Sequence, residues 1–393
     1  MNPAPAISPF EWAGAAIWAI PDALIRAAIR RLHEEHVDDP ETVRLRTDAF
    51  VAKMCESPIA LATSDANAQD YEVPPALSSL IPRLCGSLFD VDLPTPLERA
   101  PEGLYGGRAL FLKREDVHEL GAFKWRGALP TIEAYKARGA SAVVTASTGN
   151  HGAAVAWASQ RAGLRAMVYA PAGASLAKLA LIDGLGAEIR LAGTDLDFAK
   201  DEGKRFALEA HVPFFEDGVE PTQYDGYGVI ADEILDQSPE APAVVVVPVG
   251  NGALIAGIGR TIRRRSPATL VVGAAAKEAP VMALSFEARR PVVCDRMATF
   301  ADGLAVRVAI PEAVALVNDT VDWMLVVSER EMAHAIGSFA KAGIRAEGAA
   351  AAGLAALAQL SEVQGPIVLV VTGRNIDEEL HRRAVEHPES FPE

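Results

Sequence analysis

Residues 243–254 read AVVVVPVGNGAL. The run from Ala243 to Val249 is apolar without alternation, and Gly250, Asn251 and Gly252 interrupt it before a helix expected from Ala253. A strand apolar on both sides belongs in a parallel sheet covered on both faces. Glycines let successive N–H groups aim at one point. The helix that follows adds the positive end of its dipole, so the turn is a candidate phosphate cradle. Taken alone it also reads as a plain tight turn. It is not a Walker A loop, because no Lys-Ser/Thr pair follows, and it is not a GxGxxG turn at the first strand of the fold.

The same pattern extends outward. Strands are expected at 109–113, 141–146, 165–170, 188–191, 269–274, 323–327 and 366–371. Helices are expected at 122–138, 150–162, 175–185, 195–210 and 222–237, with two more between the last two strands. Apolar strands alternating with helices imply an α/β fold with parallel sheets. In such folds ligands bind at the carboxyl ends of strands, so the strand-to-helix turns are the places to search. The Ala-rich stretch from Glu347 to Leu357 reads as a closely packed buried helix.

Two further turns stand out. Ser147, Thr148, Gly149, Asn150 and His151 follow the strand at 141–146. Hydroxyls, an amide and backbone N–H groups converging there suit a carboxylate or a phenolic oxygen, and the same residues serve as helix caps. Gly121 to Ala128 reads GAFKWRGA, with Lys124 between Phe123 and Trp125 near a helix start. An apolar setting makes a lysine a nucleophilic amine able to form a Schiff base with a carbonyl. The bland alternative is an exposed lysine on an amphipathic helix.

Composition bounds the rest. The chain has 393 residues, is 50% hydrophobic and carries a formal net charge of −15. This is a globular composition with chain enough for two or three domains. An acidic surface repels nucleic acid and anionic membranes, so neither is an expected partner. Cys55, Cys85 and Cys294 lie far apart with no CxxC pair, which argues against a zinc site or a disulfide framework. Free thiols suit a reducing cytoplasm. The apolar run Trp12–Ile20 is too short to span a bilayer and follows no basic residue. Residues 1–85 read as a helical N-terminal extension without chemistry of its own, for packing or dimer contact.

The order of these parts, a lysine helix, an Asn-containing turn, a Gly-rich turn and a last strand ending in Thr372-Gly-Arg-Asn375, resembles the pyridoxal-phosphate enzymes of fold type II, the tryptophan synthase β-subunit fold. Within that group it looks most like the serine/threonine dehydratases, or ammonia-lyases. The likeness runs from Pro94-Thr-Pro-Leu97 through Leu112-Lys-Arg-Glu-Asp116 and the lysine motif to the last strand, about three quarters of the chain.

The resemblance implies two parallel-sheet α/β domains with the active site between them. A large cofactor-binding domain would comprise 86–145 and 219–393, and a small domain 146–218. It implies that Lys124 carries pyridoxal 5'-phosphate as a Schiff base and shuttles the substrate α-proton. Phe123 would lie beside the cofactor, and Asn150 would bond its phenolic oxygen. Gly250, Asn251, Gly252, Ala253 and Leu254 would cradle its phosphate, and Thr372 would bond its pyridine nitrogen. Ser147, Thr148, Gly149 and His151 would hold the substrate. The implied reaction is α,β-elimination of ammonia from serine, threonine or a 3-substituted relative, giving a 2-oxo acid, in a cytoplasmic homodimer. β-Replacement, threonine-synthase-like chemistry, racemisation and cofactor binding without turnover are the alternatives.

The sequence departs from the family in places. Ala122 stands where a serine is usual, and the Gly-rich run is Gly-Asn-Gly-Ala rather than four glycines. At the position of Thr148 dehydratases often carry Ala and serine racemases Ser, so the resemblance implies a hydroxyl on the face opposite Lys124 as a second proton donor and a racemase side activity. Ala276 and Lys277 occupy the region where many relatives place an acid for a structural cation, so no metal is expected, and the Lys277 charge is read as a partial substitute.

Overall fold

The structure, a computed structural model, describes residues 94–105, 109–295 and 297–393. The N-terminal extension expected at 1–85, with Cys55 and Cys85, lies outside the described residues.

In chain order the elements are β1 (Leu97–Arg99), β2 (Leu110–Arg114), α1 (Trp125–Ala137), β3 (Ala142–Ala146), α2 (Asn150–Ala162), β4 (Arg165–Ala170), α3 (Leu176–Gly184), β5 (Glu188–Leu191), α4 (Leu196–Glu209) and α5 (Pro221–Gln237). They continue as β6 (Val244–Pro248), α6 (Ala253–Arg265), β7 (Leu270–Ala276), α7 (Val281–Ala288), α8 (Pro311–Thr320), β8 (Trp323–Val327), α9 (Glu329–Lys341), α10 (Gly348–Ala356), β9 (Ile367–Val371) and α11 (Glu378–Glu386).

One sheet has the order β1-β2-β9-β6-β7-β8, and a second has the order β3-β4-β5. All pairings are parallel except β1 with β2. The decisive run behaves as its composition requires. Every residue of β6 is buried, and its side chains enter hydrophobic clusters on both faces of the sheet. Val245 and Val247 pack with α5 and α6 residues such as Ile230 and Ile255. Val244 and Val246 pack with Ile336, Phe339 and Leu354.

Two expectations shift. β3 belongs to the three-stranded sheet, so the smaller sheet begins near 142 and not at the 146 boundary. The helix expected from 122 begins at Trp125. The reason is tertiary. Ala122 pairs with Gly373 in an isolated antiparallel bridge, and the Phe123 N–H donates to the Thr372 carbonyl at 3.0 Å. Those residues are held extended against the end of β9 and cannot join the helix.

Candidate active site

The sheet order brings the site together. β2, β9 and β6 are neighbours, so their carboxyl ends place the lysine motif, Thr372 and the Gly250 turn side by side. The Arg374 N–H donates to the Gly121 carbonyl at 2.9 Å, extending the zipper that joins the lysine loop to the end of β9. The turn after β3 brings Ser147–Asn150 from the second sheet. The result is a cleft of about 650 Å³ lined by Lys124, Asn150, Asp217, Gly250, Glu347 and Thr372, among others.

Lys124 keeps only one of its two aromatic neighbours: its Nζ lies 5.2 Å from the Phe123 ring centroid. Trp125 is buried and points away, stacking on His118 with ring centroids 4.5 Å apart. Phe123 lines the cleft and packs against Tyr227 at 5.2 Å. Lys124 Nζ also meets the carboxylate of Asp217, with Nζ to Oδ2 at 2.5 Å. Asp217 lies in the segment between α4 and α5, and Gln223 Nε2 donates to its Oδ1 at 2.8 Å. Burial pushes the Asp217 carboxyl up, but the Lys124 charge and the hydrogen bonds outweigh it and hold the group well below the usual carboxylate range. Sequence reasoning missed Asp217. Its local signal is an acid beside Gly218 in a short connection, which reads as a turn.

Asn150 is fixed on two sides. Its Nδ2 donates to Glu347 Oε2 at 3.1 Å, and its Oδ1 accepts from Asn375 Nδ2 at 2.8 Å. Glu347 precedes α10 and is 8% exposed. Burial pushes its carboxyl up to about 7, against the lowering effect of the Asn150 bond. Ser147 is buried and its Oγ accepts from the Gly149 N–H at 3.2 Å, while Thr148 and Gly149 are half-buried at the cleft wall. His151 is turned into the wall. Its Nε2 lies 3.1 Å from Thr145 Oγ1 and its Nδ1 lies 3.6 Å from Asp217 Oδ1. Burial lowers its pKa, so the ring is neutral at pH 7.

The Gly-rich turn is built for close approach. Gly252 has φ +88°, a left-handed conformation that a side chain resists, and it caps α6. Ala253 and Leu254 follow in the first turn of that helix, where N–H groups have no intrahelical partner. The Asn251 side chain is occupied internally. Its Oδ1 accepts from the Ala253 N–H at 3.1 Å and its Nδ2 donates to the Asp217 carbonyl at 3.2 Å. At the end of the neighbouring strand β9, Thr372 is 2% exposed and its hydroxyl has no hydrogen-bond partner.

The sequence profile of the pyridoxal-phosphate dependent enzymes matches residues 88–373. The chain belongs to the pyridoxal-phosphate dependent enzyme family. It is 35% identical over 274 residues to the L-threonine ammonia-lyase of Thermotoga maritima, covering 69% of this chain and 68% of that one. It is 32% identical over 303 residues to a biosynthetic L-threonine dehydratase of Pasteurella multocida, covering 75% of this chain and 58% of that one. Among solved structures, threonine deaminase isoform 2 from Solanum lycopersicum in its processed form superposes with a TM-score of 0.71 at 28% identity, covering 75% of this chain and 83% of that one. Maize serine racemase superposes with a TM-score of 0.69 at 27% identity, covering 76% and 93%. The architecture is fold type II, as expected.

The residues of this pyridoxal-phosphate dependent enzyme fit its cofactor. The orphaned Thr372 hydroxyl is a buried group awaiting a partner, and a ring nitrogen supplies one. A lysine for a Schiff base and a glycine-lined helix start for a phosphate lie in the same cleft.

Two ion pairs join the α3–α4 side of the cleft to the loop preceding α8. They link Lys178 to Asp302 and Arg307 to Asp197. Asp302 thus has a partner across the cleft. Lys277 is exposed and its Nζ donates to the Glu393 carbonyl at 3.2 Å. No helix among the described residues is long and apolar enough to cross a membrane.

Proposed function

We propose that this enzyme is an ammonia-lyase of the carbon–oxygen lyase type, acting on serine, threonine or a 3-substituted relative to give a 2-oxo acid and ammonia. The convergence of Lys124, Asn150, the Gly250 turn and the unpartnered Thr372 hydroxyl on one cleft carries this reading. The similarity to threonine ammonia-lyases and dehydratases supports it.

The cofactor, when bound, supplies the electron sink that acidifies the substrate α-carbon. The chain's residues do the rest. Lys124 takes the α-proton. The Cα–H electron pair forms the Cα=Cβ bond and the Cβ–O bond breaks, so hydroxide departs and is protonated to water. The released enamine tautomerises and hydrolyses to the 2-oxo acid and ammonia. Ser147, Thr148 and Gly149 hold the substrate carboxylate through hydroxyls and backbone N–H groups. Thr372, a neutral hydroxyl, accompanies the ring nitrogen without charging it, which favours rapid loss of a β-substituent over a persistent carbanion. Phe123, Asn150, Gly250, Asn251, Gly252, Ala253 and Leu254 hold the cofactor, with Asn251 contributing its backbone. His151 acts from behind, as part of the wall.

A small domain around the three-stranded sheet, running to 218, closes over the substrate. The enzyme is taken to work in the cytoplasm as a homodimer on an amino acid. Racemisation is the second reading, because the Thr148 hydroxyl lines the cleft. A panel of hydroxy amino acids scored for 2-oxo acid and ammonia tests the proposal. Equal amounts of both products from serine or threonine are expected. An unchanged yield of amino acid with inverted chirality would favour the racemase reading.

A further inference from the structure

Asp217 is the feature that the reaction scheme leaves unused. Its carboxylate does not simply drift to the nearest cation. Gln223 Nε2 donates to Oδ1 at 2.8 Å, and Gln223 is itself fully buried. Gln223 Oε1 accepts from the Gly218 N–H at 2.7 Å, and its Nε2 also reaches Tyr227 Oη at 3.2 Å. The Asp217 carbonyl accepts from Asn251 Nδ2, which ties the segment to the Gly-rich turn. The Tyr224 hydroxyl donates to the neighbouring Gly218 carbonyl at 2.5 Å. Oδ1 is therefore anchored by the protein, while Oδ2 is presented to Lys124 Nζ at 2.5 Å. The other cations of the cleft have carboxylates of their own. Lys178 pairs with Asp302, Lys200 with Glu216 and Arg307 with Asp197. His151, also facing Asp217, is neutral at pH 7.

We propose that Asp217 is the electrostatic partner of Lys124 in catalysis: its anchored carboxylate aims Nζ and stabilises the ammonium that Nζ becomes on taking the substrate α-proton. This rests on the reading of Lys124 as the proton-abstracting base. The Cα–H bond breaks, the proton forms an N–H bond on Nζ, and the electron pair stays with the substrate. In elimination that proton and the departing hydroxide together account for the water released. A fixed charge beside a group that becomes charged during the step lowers its barrier without having to reorganise. Asp217 acts through Lys124, so it is a positioning residue.

Exchange of the α-proton isolates this step from elimination. The holoenzyme and its Asp217→Asn and Asp217→Glu variants are incubated with L-alanine in deuterated water, and loss of the α-proton signal is followed by NMR. L-Alanine has no leaving group, so the readout does not depend on lyase activity. In parallel, the cofactor-free proteins are titrated with pyridoxal phosphate and the Schiff-base absorbance is recorded, which reports an intact site apart from turnover. Asp217→Asn should reach the wild-type absorbance amplitude yet exchange the α-proton about ten- to a hundredfold more slowly, and Asp217→Glu should recover part of the loss. Equal exchange rates in wild type and Asp217→Asn would overturn the proposal, as would a wild type that exchanges nothing. A wild type that exchanges the α-proton but releases no ammonia from any hydroxy amino acid would overturn the lyase reading alone. If Asp217→Asn fails to bind the cofactor, the Asp217→Glu rate decides: near wild type supports the proposal, and no exchange despite full absorbance overturns it.

Discussion

The Phe123 N–H donates to the Thr372 carbonyl at 3.0 Å. One hydrogen bond thus ties the residue before Lys124 to the residue proposed to meet the cofactor ring nitrogen, although 248 positions separate Lys124 from Thr372 in the chain (372 − 124). The bond explains why α1 starts at Trp125, and it sets the spacing of the two ends of the cofactor site.

The Thr372 side chain separates binding from stability. Its hydroxyl is buried without a partner, a condition that costs about 1–3 kcal/mol. Thr372→Val keeps the shape and removes the orphan. The cofactor-free protein should melt at the same temperature or higher, while the dissociation constant for pyridoxal phosphate rises roughly tenfold, the loss of about one hydrogen bond. Calorimetry on the cofactor-free protein and a spectral titration check the two halves. A lower melting temperature would show that the hydroxyl has a structural partner.

Glu347 makes stability depend on pH. Burial raises its carboxyl from 4.5 to about 7. The folded protein therefore holds a proton that the unfolded chain has released between those values, so stability falls as pH rises through that window. Above about pH 7 the ionised group is fully penalised. Glu347→Gln removes the charge and keeps an acceptor for Asn150. It should stabilise the cofactor-free protein at pH 8 by up to about 3 kcal/mol, with the gain vanishing near pH 4.5. Urea titrations at pH 5 and pH 8 measure the difference.

Arg126 holds a buried cluster behind the site. Its guanidinium bonds Glu115 Oε1 at 2.9 Å and Glu233 Oε1 at 2.5 Å, and Lys113 Nζ also meets Glu233 at 2.5 Å. Lys113 and Glu115 are fully buried. Arg126→Ala leaves two carboxylates to one lysine, with Glu115 fully buried and Glu233 half-buried. A loss of about 3–5 kcal/mol follows from removing one member of a buried pair. Arg126 lies in the first turn of α1, two residues past Lys124, so cofactor affinity should fall with it. Denaturant midpoints with and without cofactor provide the check, and a loss below about 1 kcal/mol would mean that the cluster is solvated.

Much of the framework was legible because its signals are local. A two-sided apolar strand ending in Gly-Asn-Gly must be buried, and the turn after it must be tight. β6 and the Gly252 cap follow from that chemistry. The short β1 was not anticipated, since three residues carry no periodicity. Trp125 stands next to Lys124 in the sequence but does not line the cleft. Adjacent residues at a helix start point in different directions, and the indole found a better partner in His118.

By itself, the sequence determined the α/β class, the strands that lie buried in the sheets, and the residue types that gather at their carboxyl ends. Backbone propensity and apolar patterning act over a few residues, so they can be read from a few residues. The partners of those residues were decided only by the tertiary structure. Asp217 reaches Lys124 because the chain returns along β3 after α4, and Glu347 reaches Asn150 because α10 begins beside the end of β9. Electrostatic contacts of this kind depend on distance in space, which sheet order sets and local sequence does not encode.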